Sequence, residues 1–204
     1  MKKCLLLLMI PFLLTQCKER EDAETRELKQ QQYEARSKTV GLVQVATSEQ
    51  MPAEVLKLLK QHENDLLPLE GLPIEESEKI CNIDGAVLGW IAVLNVSIEQ
   101  MSPEQYSHYI KKLEHDLEHV KTKEVVQMLQ RILKIIKKYE NGPFPLKPIP
   151  TKELEEAYYK SYLDWSVRTF YNHVAWKIGT SREKYDKMIE EFEEAANKRI
   201  SDAH

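Results

Sequence analysis

Glycine and cysteine are scarce in this chain of 204 residues, which contains six Gly and three Cys. The glycines occur singly, so no glycine-rich loop is available to cradle a phosphate group, and the P-loop and dinucleotide-binding patterns are both missing. The G-x-S-x-G pattern of hydrolases and the C-x-x-C pattern of redox proteins are also missing. These absences argue against the common nucleotide-dependent and nucleophile-based enzymes.

An excess of positive charge is missing as well. The chain has 29 Lys and Arg residues against 33 Asp and Glu residues, which gives a formal charge of −4. A nucleic-acid-binding protein needs a basic face to neutralise phosphates, so we predict no nucleic-acid partner. The content of 42% hydrophobic and 30% charged residues excludes a collagen, a disulfide scaffold and a wholly disordered chain.

The N-terminus carries a short apolar segment. Lys2 and Lys3 precede an apolar run over residues 5–14, and a charged stretch begins at Lys18. A permanent membrane-spanning helix needs about 20 apolar residues, which is more than this run provides. The pattern is typical of a secretory signal.

The apolar run ends in Leu14-Thr15-Gln16-Cys17, which resembles the lipobox of bacterial lipoproteins, although Gln16 replaces the usual Gly, Ala or Ser. The resemblance implies a signal peptide over residues 1–16 and lipidation of Cys17. Lys18, in place of Asp, resembles the pattern sorted to the outer membrane of Gram-negative bacteria. The implied location is the side of the outer membrane that faces the periplasm. The inner membrane and the cell surface are the less favoured alternatives. The alternative is an ordinary secretory signal with an incidental Cys17.

Residues 17–42 are predicted to be a charged tether between the lipid and a helical domain over residues 43–204. Between residues 18 and 39, Leu28 and Tyr33 are the only large apolar residues, which predicts a solvated helix or coil. Cys81 would be the only free thiol of the mature chain, and a buried structural role is favoured over a reactive one.

Helical periodicity predicts an all-α fold class, a helical bundle of about six helices. The first helix is expected to begin at Pro52. The most apolar stretch covers residues 84–98 and is expected to be a buried helix capped by Asp84, with a strand as the alternative. Its Gly85 and Gly89 predict a close approach of another helix.

Four later helices have predicted N-caps at Ser102, Thr122, Thr151 and Thr180. The helices after Ser102 and Thr122 are joined by few residues, which predicts an antiparallel hairpin. A Pro-rich connector over residues 143–150 separates two helical parts of the domain. No internal repeat with a solenoid signature is evident.

Three histidines, His108, His115 and His119, share the polar side of the helix after Ser102, within about 40° of one another. They are candidate ligands of a surface transition-metal site, with a solvated face or a patch that becomes cationic below about pH 6.5 as the alternatives. His115, Glu118 and His119 also form an H-x-x-E-H pattern, which resembles the zinc motif of inverzincin metalloproteases. A solvent face lacks the shielded cavity that such an enzyme needs, so a zinc hydrolase is a remote alternative and no cofactor is predicted.

The helix after Thr151 is apolar on two sides, which predicts either a central position in the bundle or contact with a ligand or partner. Aromatic residues dominate binding hot spots, so one side supplies the candidate binding residues. These are Tyr158, Tyr162, Trp165 and Trp176. The final helix is rich in Glu and Asp and offers a surface for a basic partner.

Together these features predict a non-enzymatic, lipid-anchored envelope protein that meets the membrane through its anchor and binds a protein partner. A subunit of a secretion or surface complex and an immunity-type protein that binds a toxin both fit this description. The alternative is a lipoprotein that binds a small ligand or a metal through the aromatic or histidine residues.

Overall fold

The structure, a computed structural model, describes residues 23–202 and the side chains of residues 24–195. Six α-helices and no strand occur in that part of the chain, which confirms the all-α fold class and the number of helices. A 3-10 turn, Ile98–Gln100, follows the second helix. The helices are α1 Ala23–Gln61, α2 Glu75–Ser97, α3 Pro103–His119, α4 Lys123–Lys137, α5 Lys152–Ile178 and α6 Arg182–Asp202.

The helices are organised into two compact units. Within the described residues, unit 1 contains residues 23–41 and Asn82–Glu155, and unit 2 contains Leu42–Cys81 and residues 156–202. Each unit has its own hydrophobic core. The core of unit 1 is built from α2, α3, α4 and the loop after α4, and that of unit 2 from the end of α1, the loop after it, α5 and α6.

α1 is much longer than the sequence predicts. It runs without interruption from Ala23 to Gln61, so the prediction that a helix begins at Pro52 is wrong. Residues 23–51 are rich in Glu, Lys, Gln and Ala, which favour the helix strongly enough to continue it through a proline. The predicted tether from residue 23 onward is therefore helical, while residues 1–22 lie outside the described part.

α2 begins at Glu75, so the prediction that Asp84 caps this helix is wrong, and so is the alternative of a strand. Asp84 lies inside α2, buried, and its carboxylate accepts a hydrogen bond from the guanidinium of Arg131 on α4. Gly89 of α2 faces Arg36 of α1, where a Cβ would lie 3.0 Å from the Arg36 Nε. This contact places an arginine side chain against Gly89, so the predicted close approach of another helix stays a prediction.

One stretch, Glu75–Gln100, is long and apolar enough to cross a membrane by length and composition alone. Half of its most apolar part is buried inside the protein, and the core helix of a water-soluble domain meets the same criterion.

The helix caps follow the sequence closely. Ser102 caps α3 through a complete capping box with Gln105, and Gly179 ends α5 with a φ of +54°. Thr122 occupies the N-cap position of α4 but makes no side-chain capping bond. The predicted cap at Thr180 is wrong by one residue, because Ser181 Oγ accepts the bond from the backbone N–H of Lys184.

Two asparagines fasten loops in the same way, an arrangement called here the loop clamp. Asn95 of α2 accepts from the Ile149 N–H at 2.8 Å and donates to the Ile149 carbonyl at 2.8 Å. Asn172 of α5 accepts from the Leu72 N–H at 2.7 Å and donates to the Leu72 carbonyl at 2.9 Å. Asn95 and Asn172 are 77 positions apart in the sequence, and so are Leu72 and Ile149.

Two tyrosines repeat a second contact. The Tyr106 hydroxyl of α3 donates to the Ile136 carbonyl at 2.9 Å, and the Tyr185 hydroxyl of α6 donates to the Leu59 carbonyl at 2.5 Å. Both carbonyls lie in the last turn of a helix, where the backbone has few partners of its own. An ion pair also recurs in the two units. Lys137 pairs with Glu114 in unit 1 and Lys60 pairs with Glu193 in unit 2, each with an N–O distance of 2.5 Å.

These recurring contacts relate residues 46–119, the first repeat, to residues 123–198, the second repeat. The offset is 77 residues from the first helix of each repeat to its asparagine clamp, and 79 residues in the last helix. Identical residues occupy the pairs Met51/Met128, Lys60/Lys137, Pro68/Pro145, Leu69/Leu146, Pro73/Pro150, Asn95/Asn172, Ser102/Ser181, Tyr106/Tyr185 and Glu114/Glu193. The chain is therefore an internal duplication, which has no solenoid signature.

Each unit combines both repeats. Unit 1 joins α2 and α3 of the first repeat to α4 and its loop from the second, and unit 2 joins the end of α1 and its loop to α5 and α6. A loop cannot reach the asparagine of its own repeat, because a helical path of about 30 Å separates the start of α2 from Asn95. The loop of one repeat is clamped by the asparagine of the other.

Candidate functional site

The four aromatic residues predicted to bind a partner lie on α5 but differ in exposure. Tyr158 is buried, Tyr162 and Trp165 are half-buried, and Trp176 is 78% exposed. The ring centroids of Tyr158 and Tyr162 are 5.6 Å apart, and those of Tyr162 and Trp165 are 5.7 Å apart. The four predicted binding residues therefore comprise one buried residue, two half-buried residues and one surface residue.

Tyr158 belongs to the interior of unit 2. Burial raises the pKa of its phenol, the Cys81 thiol and Tyr162 add to that effect, and a hydrogen bond with Gln44 acts against it. The phenol therefore stays neutral at physiological pH. Cys81 is buried, as the structural interpretation of this thiol predicts.

Trp176 is the outer end of a row of rings. Phe192 of α6 packs edge-on against Phe170 at 6.0 Å, Phe170 lies 6.3 Å from His173, and His173 stacks on Trp176 at 6.1 Å. Phe170, His173 and Trp176 recur at every third residue of α5, so they follow one side of the helix. Sequence reasoning missed Phe170, His173 and Phe192, although this three-residue spacing was a usable signal.

The two repeats show that this end of α5 is longer than the corresponding end of α2. Twelve residues separate Asn172 from Tyr185 in the second repeat, against ten between Asn95 and Tyr106 in the first. α2 ends at Ser97, two residues after its clamp, whereas α5 continues to Ile178, six residues after its own. Trp176 lies on the additional helical turn, and Glu99 is the residue of the first repeat at the 77-residue offset.

The three predicted metal ligands are all exposed on α3. The rings of His115 and His119 stack with centroids 4.2 Å apart, and His119 Nδ1 lies 2.7 Å from the His115 carbonyl oxygen. No group of three or more His, Cys, Asp or Glu side chains that could hold a metal ion occurs in the described part of the chain, and Glu118 is exposed beside the pair. His108, His115 and His119 are therefore not gathered into a three-ligand site.

Two buried hydroxyls, those of Tyr159 and Tyr171 on α5, have no hydrogen-bond partner in the described part of unit 2. Burial raises the pKa of both phenols, with nearby carboxylates adding to the effect. The Tyr171 ring lies 5.6 Å from His62, whose Nδ1 is 2.6 Å from the Asp65 carboxylate. His62 and Asp65 are both open to solvent, so they form a surface hydrogen bond and not a shielded acid–base site.

No protein-family model, no curated protein sequence and no solved structure matches this chain. Gln16, Cys17 and the rest of the predicted lipobox lie outside the described residues. The exposed ring row that ends in Trp176 is the candidate functional site, because it combines a rigid helix with an uncovered aromatic side chain.

Proposed function

We propose that the chain is a lipid-anchored envelope protein whose helical domain binds a protein partner and catalyses no reaction. The lipobox-like Leu14–Cys17 supports the anchor, and Lys18 supports an outer-membrane location facing the periplasm. The observation that carries the binding role is the exposure of Trp176 at the end of the extended α5.

Exposure of a tryptophan ring to water is unfavourable, because burial of a large apolar ring lowers the free energy. Trp residues are enriched at the centres of protein interfaces, where they fill a pocket of the partner. The ring of His173 lies beside that of Trp176, with centroids 6.1 Å apart, so the two exposed rings form one aromatic surface. These features suit an anchor for another protein.

The duplicated framework supports the same interpretation. The first repeat closes the corresponding turn with two fewer residues and carries Glu99 in place of Trp176. Folding therefore does not require an aromatic side chain at this position, and binding to a partner accounts for the exposed tryptophan on the extra turn.

Site-specific photocross-linking tests the binding role. A photoreactive benzoylphenylalanine is placed at position 176 of the full-length chain, and at position 99 as the matched control. We expect a light-dependent adduct of one defined mass from position 176 and none from position 99. No adduct from position 176, or equal adducts from both positions, would contradict the proposal.

The anchor is tested by the intact mass of the native protein extracted from membranes. We expect the mass to reflect removal of residues 1–16 and addition of a lipid to Cys17. A native chain that keeps its first residues and stays in the cytosol would overturn the lipoprotein assignment, whatever the photocross-linking shows.

A further inference from the structure

Two helices carry exposed strips of opposite charge with the same spacing. The basic strip of α4 consists of Lys123, Gln127, Gln130 and Lys134, and the acidic strip of α6 consists of Glu183, Lys187, Glu190 and Glu194. All eight side chains are exposed. In both strips the residues follow at intervals of four, three and four, which keeps them on one side of the helix.

The charges of these strips are largely unpaired inside the molecule. Within residues 24–195, no ion pair or side-chain hydrogen bond involves Lys123 or Lys134 of the basic strip. The same holds for Glu183, Glu190 and Glu194 in that part of the chain, while Lys187 makes only a loose contact of 3.9 Å with Glu191. The strips are therefore available to another molecule.

The duplicated framework does not require the complete strips. On α1 of unit 2, the positions that match the basic strip hold Ala46, Gln50, Ala53 and Lys57, so two of the four residues recur. On α3 of unit 1, the positions that match the acidic strip hold Glu104, His108, Lys111 and His115, so one of the four recurs. Because the same fold forms without the charges of Lys123, Glu190 and Glu194, packing does not explain these three residues.

We propose that α4 of one copy of this chain docks against α6 of a second copy. In an antiparallel alignment the intervals of the two strips coincide along their whole length. Lys123 then faces Glu194, Lys134 faces Glu183, and the two glutamines of the basic strip face Glu190 and Lys187. Every facing pair is either of opposite charge or able to form a hydrogen bond.

A second copy is the chosen occupant because this chain supplies both complementary surfaces. The contact joins different surfaces of the two copies, so it is heterologous. One copy keeps its α6 strip free and the other keeps its α4 strip free for further copies. Exposed ion pairs are individually weak and are screened by salt, so the association should be strongest at low ionic strength. This inference is independent of Trp176 and of the lipid anchor.

A zero-length carbodiimide cross-linker tests the contact, because it joins a lysine directly to a carboxylate. The full-length chain is prepared with and without heavy nitrogen, the two preparations are mixed at low salt, and cross-linked peptides are identified by mass spectrometry. We expect peptides of mixed isotope composition that join Lys123 or Lys134 to the acidic strip. Their absence, or the finding that these lysines join only residues outside α6, would overturn the proposal.

Charge reversal gives a second test that does not depend on a single variant. E190K/E194K should lower the yield of these peptides about tenfold, because lysines then face lysines. K123E/K134E lacks the reacting lysines and forms none of these peptides by itself. An equal mixture of the two variants should restore the yield, since the unchanged α4 of one variant then meets the unchanged α6 of the other. K111E/K112E, which makes the same change of net charge on α3, should leave the yield unchanged.

Recovery in the mixture also shows that the variants fold. If the mixture fails to recover although both variants keep the helical circular dichroism of the parent, the specific contact is disproved. If K111E/K112E lowers the yield as strongly as E190K/E194K, overall charge is responsible and the proposed strips are not.

Discussion

Units 1 and 2 share a framework and differ on their surfaces. Both contain a loop clamp, a tyrosine that binds a helix-end carbonyl, and a lysine–glutamate pair at equivalent positions. Their charges differ, since residues 24–41 and 82–155 contain 14 basic and 13 acidic residues, whereas residues 42–81 and 156–202 contain 11 basic and 17 acidic residues.

The comparison separates structural residues from candidate functional ones. A residue that recurs with the same contact in both units serves the framework, as Asn95 and Asn172 do. A residue that is exposed in one unit and replaced in the other, such as Trp176, is free to serve binding. Both units also have features of their own inside the core, and these make the comparison testable.

The largest expected effect concerns the Asp84–Arg131 pair, which exists only in unit 1. The Asp84 side chain is 8% exposed, so Arg131→Met leaves a buried carboxylate unpaired and should cost about 3 kcal/mol. Glu54→Met, at the matching position of unit 2, removes only a surface contact and should cost about 0.5 kcal/mol or less. Urea unfolding measures both values, and equal losses would contradict the difference between the units.

The loop clamps should be of equal importance in the two units. Asn95→Ala and Asn172→Ala each remove two hydrogen bonds to partly buried backbone, so each should lower the free energy of unfolding by about 2 kcal/mol. Asn82→Ala, at an exposed position of α2, is the control and should change stability by less than about 0.5 kcal/mol. A loss of stability in only one of the two variants would show that the two clamps do not contribute equally to stability.

The recurring tyrosines should each contribute less. Tyr106→Phe and Tyr185→Phe should cost about 1 kcal/mol each, since each removes one hydrogen bond to a carbonyl that keeps a backbone partner. Burial raises the pKa of Tyr106 to about 12, and it also raises the pKa of Tyr185.

These pKa values predict a loss of stability in alkali. Unfolded tyrosines ionise near pH 10, before the folded ones do. Stability is therefore fully present below about pH 10 and falls as the pH rises towards about 12. Denaturant titrations between these limits should show a smaller fall in Tyr106→Phe than in the parent protein, and an identical fall would contradict the assignment.

The smallest expected effect concerns the lysine–glutamate pairs. All four side chains are about half exposed, so Lys60→Gln and Lys137→Gln should each change the free energy of unfolding by about 0.5 kcal/mol or less. The carboxylate of Glu114 raises the pKa of Lys137 through a hydrogen bond and its charge. A loss well above 1 kcal/mol for either variant would mean that the pair is part of the packing.

The sequence predicted the fold class and most helix boundaries because local signals set them. The N-cap at Ser102 acts within a few residues of itself, and the structure confirms it. Asp84 was misread, because an acidic residue before an apolar run looks like a cap until its partner, 47 residues away, is known.

The duplication and the ring row were harder to predict. The matching residues of the two repeats are scattered, and the offset changes from 77 to 79 at the extended turn, so the recurrence is clear only when the contacts are compared. The aromatic pattern on α5 located Trp176 correctly on the helix but could not separate it from buried Tyr158, because exposure depends on α1, α2 and α6.

The central claim is that each loop is held by the asparagine of the other repeat, and hydrogen exchange tests it most directly. Asn172→Ala should speed exchange of the Leu72 amide and its loop while leaving the loop at Ile149 protected, and Asn95→Ala should do the reverse. If Asn95→Ala instead released the loop at Leu72, within its own repeat, the proposed organisation of the two units would be wrong.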